Sequence, residues 1–169
     1  MRVSETNASV LWRIGRCKAA EIASARLRLA EFKSLAKDMP AALDFKKALS
    51  AAPGLSVIAE IKRASPSAGT IASDFDPSAM ARSYSEAGAD AVSVLTDVEH
   101  FKGSIECLVQ AKSCLPATPV LRKDFILDEV QVYEARAAGA DTFLLIAAML
   151  EPGRLKELLE LGRSLGMEP

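Results

Sequence analysis

Glu60, Lys62 and Lys123 are the side chains whose types and setting point to chemistry. Glu60 and Lys62 close the run Ser56-Val-Ile-Ala-Glu-Ile-Lys62, which begins as an apolar, β-branched segment of strand length. With a side-chain period of two they share a face with Ile58, while Ile61 points the other way. The run is then stopped, because Pro66 cannot donate to a ladder and Gly69 suits a turn. Lys123 ends another such segment, with Leu121 and Phe125 on its face. Two inward lysines beside a carboxylate repel each other, which eases proton loss from one of them, the property a general acid needs near neutrality. They would also attract an anion. The plain alternatives are an interior ion pair or solvated strand end for Glu60 and Lys62, and a surface lysine for Lys123.

The elements that must position these groups follow a regular rhythm. Apolar segments predict strands over 56–62, 91–95, 119–123 and 142–147, and helical spacing predicts helices over 77–87, 104–114, 128–138 and 152–165. Asp76 before Pro77 reads as a helix cap followed by proline at the first position, and Asp128-Glu129 loads the start of another helix with negative charge. The strands are near-continuous apolar runs, so both faces should be buried, as in parallel sheets. Glu86-Ala-Gly-Ala-Asp-Ala-Val-Ser-Val-Leu95 is echoed by Ala137-Ala-Gly-Ala-Asp-Thr-Phe-Leu-Leu-Ile146. Gly88 and Gly139 sit where a left-handed helix stop is wanted. Two joints built alike fit a barrel assembled from equivalent βα units. Around the mouth of such a barrel the strand ends converge, and Glu60, Lys62 and Lys123 with them. Phe101, in the loop 98–104, and Phe125 would either stack on a ring or simply pack. His100 reads as a loop residue with nothing nearby to orient it, and Asp97 and Asp124 read as loop or capping groups rather than ligands.

Ahead of the first strand lies a helical extension. Helical spacing runs over 8–38, with Asn7 or Ser9 as its cap and Pro40 as its end, and a second helix is expected over 41–51 before Pro53-Gly54. The chain of 169 residues is 50% hydrophobic with a net charge of −1, enough apolar content for one sizeable core and no general pull toward nucleic acid or anionic membrane. Cys17, Cys107 and Cys114 lack metal-type spacing and read as reduced thiols. With no signal-like start and no membrane-length apolar run, the expected location is cytoplasmic.

The motifs Ile58-Ala-Glu-Ile-Lys-Arg-Ala-Ser-Pro-Ser67, Ser93-Val-Leu-Thr-Asp97, Phe101-Lys-Gly-Ser104, Leu121-Arg-Lys-Asp-Phe-Ile126 and Gln131-Val-Tyr-Glu-Ala135, in this order, resemble indole-3-glycerol-phosphate synthase. The resemblance implies an α/β fold of the TIM (β/α)8-barrel family. Residues 1–55 would be a helical extension over the barrel mouth, and 56–169 the first four βα units. It also implies a carboxy-lyase of tryptophan biosynthesis that works without cofactor or metal on a small phosphorylated substrate, 1-(2-carboxyphenylamino)-1-deoxyribulose 5-phosphate. By resemblance Lys123 is the general acid at the ketone, Lys62 binds substrate and serves a later proton transfer, and Glu60 is their paired carboxylate. Ser65 would hold the polar end of the substrate, and Phe101, Phe125 and Leu144 would line the pocket for its aromatic ring. Position 68 is Ala where many relatives carry Lys.

A full barrel needs eight βα units, about 250 residues. The chain stops at Leu165-Gly-Met-Glu-Pro169, where a fifth strand is due. The family's glutamate on the fifth strand, asparagine on the sixth, serine on the seventh and glycine-rich phosphate loops would be missing. The expectation is therefore a truncated chain, inactive or nearly so alone, with exposed barrel edges that offer a surface for self-association. Two other readings stay open: another phosphate-binding barrel enzyme such as phosphoribosylanthranilate isomerase, and a non-enzymatic half-barrel that pairs with itself.

Overall fold

The computed structural model of the chain describes residues 5–51, 54–66, 69–70 and 74–169. Pro53, Ser67 and Ala68, which carry parts of the expectations above, lie outside them. The chain opens with α1 (Glu5–Arg26), α2 (Leu29–Asp38) and α3 (Phe45–Ser50). There follow β1 (Ile58–Ile61), a small antiparallel pair β2 (Ala64–Ser65) and β3 (Gly69–Thr70), and then α4 (Pro77–Glu86). The remainder is β4 (Ala91–Leu95), α5 (Val98–Phe101), α6 (Ile105–Ser113), β5 (Val120–Lys123), α7 (Glu129–Ala137), β6 (Thr142–Phe143), a 3₁₀ turn at Ala147–Met149, and α8 (Pro152–Ser164).

The main sheet is parallel, in the order β1-β4-β5-β6, so sequential strands are neighbours and a helix covers each crossover. Its registers place Ile61, Val94, Arg122 and Phe143 on one face, toward the helices, and Glu60, Ser93, Leu121 and Thr142 on the other. Ile61, Val92, Val94 and Val120 pack against Ala81 of α4, Leu108 and Ala111 of α6 and Ala135 of α7. Each of the isoleucine, valine and leucine side chains taken fully out of water contributes about 1.5–3 kcal/mol before the entropy of ordering is counted, and each alanine less. Burial on both faces holds for β4 and for the short β6, but not for β1 and β5. β1 is a sheet edge among the described residues, and Val57 and Ile58 are 55% and 45% exposed.

The repeated Ala-Gly-Ala-Asp joint has a clear job. Gly88 and Gly139 adopt left-handed φ of 84° and 90°, where a Cβ would be strained, and end α4 and α7. The aspartate that follows then locks to the start of the preceding strand by two reciprocal bonds. Val57 N donates to Asp90 Oδ2 (2.8 Å) and Asp90 N to Val57 O (3.0 Å); Val120 N donates to Asp141 Oδ2 (2.7 Å) and Asp141 N to Val120 O (2.9 Å). Asp76, Ser104 and Asp128 cap α4, α6 and α7, and Asp128 forms a capping box with Gln131.

Four elements differ from the expected ones. The long first helix starts by Glu5, so Asn7 and Ser9 lie inside it, and it breaks at Leu27-Arg28 into α1 and α2. On one straight helix Ile22 and Phe32, ten positions apart, would point about 80° apart; the break lets both pack on Val130 of α7. The second helix shortens to α3 because Asp44 caps it by accepting from Lys47 N (2.8 Å), while Leu43 N is held instead by Asp141 Oδ1 (2.8 Å). The loop after β4 contains the one-turn helix α5, capped by Asp97 through His100 N (2.7 Å). The fourth strand ends at Phe143: Leu144 N still reaches Arg122 O (3.2 Å), after which the backbone turns away.

Candidate active site

Glu60 lies near the carboxyl end of β1, Lys62 just beyond it, and Lys123 at the end of β5. Lys62 Nζ donates to Glu60 Oε1 at 2.8 Å and Lys123 Nζ to Glu60 Oε2 at 2.7 Å, so one carboxylate is flanked by two ammonium groups. Burial alone would raise the Glu60 carboxyl, but the hydrogen bonds from Lys123 and then Lys62 outweigh it and hold the group below its ordinary value. All three side chains remain partly open to solvent, at 29% for Glu60, 32% for Lys62 and 38% for Lys123. The carboxylate is charged and the lysines are reachable.

These groups form one wall of a cavity of about 200 Å³, which Leu95, Phe101, Phe125, Leu144 and Ile146 complete, with Asp124 at its edge. The Phe101 and Phe125 rings stand 6.3 Å apart at 37°, and His100 meets Phe125 edge-on at 6.4 Å. An apolar, aromatic wall opposite a cationic one suits a flat ring that carries an anionic substituent. Six of the seven residues proposed from the sequence thus line one cavity. Ser65 does not: it lies half-buried on β2. His100 is oriented after all, with Asp97 Oδ1 3.3 Å from its Nδ1.

Behind the cavity lies a buried ionic network that local sequence reasoning missed. Lys18 of α1 is 1% exposed, and its Nζ lies 2.8 Å from Asp124 Oδ1, 2.9 Å from Asp97 Oδ2 and 2.7 Å from Glu21 Oε2. Arg122 Nη2 lies 3.2 Å from Asp124 Oδ2 and 2.8 Å from Glu134 Oε2, its Nη1 donates to Gln131 O (2.9 Å), and its Nε donates to Thr96 Oγ1 (3.1 Å). Burial would push the Asp124 carboxyl up, but Arg122 and then Lys18 bring it down to about 2. Burial likewise works against the Lys18 ammonium, and Asp124 with the hydrogen bonds to Glu21 and Asp97 raises it above the usual lysine value. Asp97 and Asp124 do cap and brace loops, as expected, and in addition anchor α1 to two strand ends. A signal was available, since Ile14, Lys18 and Ile22 fall at i, i+4 and i+8, with a lysine in the middle of a buried stripe.

The family model of indole-3-glycerol phosphate synthase matches residues 11–169. The chain is 49% identical over 139 residues to the indole-3-glycerol phosphate synthase of Rhodopirellula baltica, covering 82% of this chain and 53% of that one. It is 47% identical over 167 residues to that of Desulfosudis oleivorans, covering 95% and 63%. With the counterpart from Mycolicibacterium gilvum the identity is 52% over 139 residues, covering 82% and 50%. The chain thus spans about half to just under two thirds of the length of these relatives. Ordered motifs, a parallel sheet with alternating helices and a match along almost all of its residues agree: this chain belongs to the indole-3-glycerol phosphate synthase family, and its sheet is part of that family's (β/α)8 barrel.

Proposed function

We propose that the chain carries the carboxylate–lysine part of an indole-3-glycerol phosphate synthase site, acting in the cytoplasm on 1-(2-carboxyphenylamino)-1-deoxyribulose 5-phosphate. The observation that carries this reading is the Lys62–Glu60–Lys123 bridge facing Phe101 and Phe125 across one cavity. The aromatic ring of the substrate lies between the phenylalanines, with Leu144 beneath it. Lys123 gives a proton to the ketone oxygen, and the ring carbon bearing the carboxylate attacks the carbonyl carbon to form the new carbon–carbon bond. The bond to the carboxylate then breaks, its electron pair restores the aromatic ring, and carbon dioxide leaves. The hydroxyl left from the ketone departs as water with a proton from Lys62, and loss of a proton from the adjacent carbon completes the indole. Glu60, hydrogen-bonded to both, keeps the two ammonium groups aimed into the cavity. Ser65, on β2 beyond the cavity lining, takes the polar end of the substrate where it extends past the ring slot. No cofactor is needed in this scheme. The extension 1–55 closes over the mouth, and the groups that the family supplies from later strands complete the site, so the chain alone has little activity.

The test is fluorescence detection of indole-3-glycerol phosphate, with this chain alone and mixed with a separately expressed carboxyl-terminal half of a relative such as that of Desulfosudis oleivorans. Activity on mixing, abolished by Lys123→Ala, is expected. Mixed chains that stay folded and silent would sink the reading. A second reading, pairing with another copy of itself, draws on Leu55, Val57 and Ile58, exposed at 97%, 55% and 45% along the β1 edge. Sedimentation of the unmixed chain as a dimer would support it.

A further inference from the structure

Lys18 lies outside the cavity, yet it touches the roots of the two loops that carry its phenylalanines. Asp97 is the second residue after β4 and Asp124 the first after β5, and Lys18 Nζ lies 2.9 Å from Oδ2 of the former and 2.8 Å from Oδ1 of the latter. Beyond Asp97 the chain runs through α5 to Phe101, and the other Asp97 oxygen accepts from His100 N at 2.7 Å. Asp124 separates Lys123 from Phe125 in sequence, and its Oδ1 also accepts from Phe125 N at 2.8 Å. Its Oδ2 is held by Thr96 Oγ1 at 2.6 Å and Arg122 Nη2 at 3.2 Å, which leaves Oδ1 to set the direction of the Phe125 backbone. One ammonium on the helical extension therefore fixes both sides of the aromatic slot and the residue next to Lys123.

We propose that Lys18 is a positioning residue of the site: through Asp97 and Asp124 it sets the spacing of Phe101 and Phe125 and the aim of Lys123. The inference rests on the function proposed above for what the slot receives, but not for the bracing itself. A merely structural lysine would stabilise the whole fold without singling out these loops. A lysine buried among two carboxylates from different loops and one from its own helix is costly to desolvate, and its geometry must be good to persist. Here the geometry is spent on the strand ends that face the cavity. The bracing also explains why an extension outside the parallel sheet matters to the site.

The experiment compares the chain with its Lys18→Gln and Lys18→Arg variants by amide hydrogen exchange and by titration with N-methylanthranilate, a fluorescent stand-in for the substrate's ring. The expected result for Lys18→Gln is at least a tenfold loss of protection at the His100 and Phe125 amides. The amides of Val92 and Val120, bonded in the sheet base, should be unchanged. N-methylanthranilate affinity should fall at least tenfold in the same variant, and Lys18→Arg should recover both. Unchanged protection at His100 and Phe125 overturns the proposal. So does a loss spread equally to Val92 and Val120, which would make Lys18 a general stabiliser, or a local loss that leaves N-methylanthranilate affinity intact. If the unaltered chain does not bind the probe while the local loss still occurs, the bracing stands and the proposed function falls.

Discussion

Lys123 of β5 donates to Glu60 of β1 across an intervening strand. The 2.7 Å contact passes over β4, whose Ser93 and Leu95 are the register partners of Glu60 and Lys123. Strands two places apart are separated by roughly 9–10 Å, so only a long, flexible cation ending one of them can close the gap. Glu60 and Lys123 therefore report on sheet curvature as well as on charge.

Three substitutions separate the roles of Lys123, Lys62 and Glu60. Lys123→Ala should lower kcat by roughly 10²–10⁴-fold in the mixed-chain assay, the usual worth of a general acid. Lys62→Ala should raise KM and lower kcat together, because Lys62 both holds the anionic substrate and gives the proton for dehydration. Glu60→Gln leaves two ammonium groups facing each other, and should reduce kcat while moving the urea midpoint little, since all three side chains are partly exposed. An unchanged KM in Lys62→Ala would contradict this division.

Acid should loosen the loops behind the site. The Asp124 carboxyl is held at about 2, below its ordinary 3.8, so its contribution to stability is present above the ordinary value and is lost as pH falls through the folded one. The size is about 2 kcal/mol. Glu60 and Asp128 are lowered too and push in the same direction. The measurement is therefore a difference: the gap in unfolding free energy between the chain and its Asp124→Asn variant should shrink between about pH 4 and pH 2. A gap constant over that window would contradict the assignment.

Gly103 has no room for a side chain. A Cβ there would meet Leu95 O at 2.1 Å, Leu95 C at 2.7 Å and Thr96 Cα at 3.1 Å, all backbone atoms at the end of β4. Gly103→Ala should cost about 1–3 kcal/mol and weaken ring binding, because the segment that must shift carries Phe101. Gly153 in α8 has nothing within 4 Å of the same position. Gly153→Ala should stabilise the chain by up to about 1 kcal/mol. Urea unfolding of both variants tests the pair.

The two repeated aspartates should differ in worth. Asp141 is 2% exposed and accepts from Leu43 N (2.8 Å), Val120 N (2.7 Å) and Lys112 Nζ (2.6 Å). Asp90 is half-buried and holds Val57 N. Asp141→Ala should cost about 3 kcal/mol and Asp90→Ala about 1 kcal/mol, read from chemical unfolding of each. Equal costs would mean that burial does not set the strength of these locks.

Much of this was legible in the chain itself, for reasons tied to particular residues. The parallel βα order follows from apolar runs punctuated by Asp76-Pro77, Gly88, Asp128 and Gly139, all local signals that the structure keeps. The gathering of Glu60, Lys62 and Lys123 follows from strand parity plus barrel closure. Helical spacing places Lys18 on the stripe of Ile14 and Ile22, but its role stayed hidden because its carboxylate partners at Asp97 and Asp124 are distant in sequence. The break at Leu27-Arg28 was invisible for a similar cause, as no glycine or proline marks it and the packing of Ile22 and Phe32 on Val130 decides it. The short fourth strand depends on neighbours rather than on its own composition.

The reciprocal locks at Asp90 and Asp141 join strand starts through backbone groups and one short carboxylate each, whereas the opposite ends of β1, β4 and β5 are tied by long side chains through Glu60, Asp97 and Asp124. The sheet is thus stiff at its base and compliant at its rim, like a fan riveted at the handle. An arriving anion competes with Glu60 for the partly exposed Lys62 and Lys123 at that rim, while the rivets keep the strand starts in place. A pocket hung on that rim can open for a bulky ring and draw shut around it while the core beneath stays still.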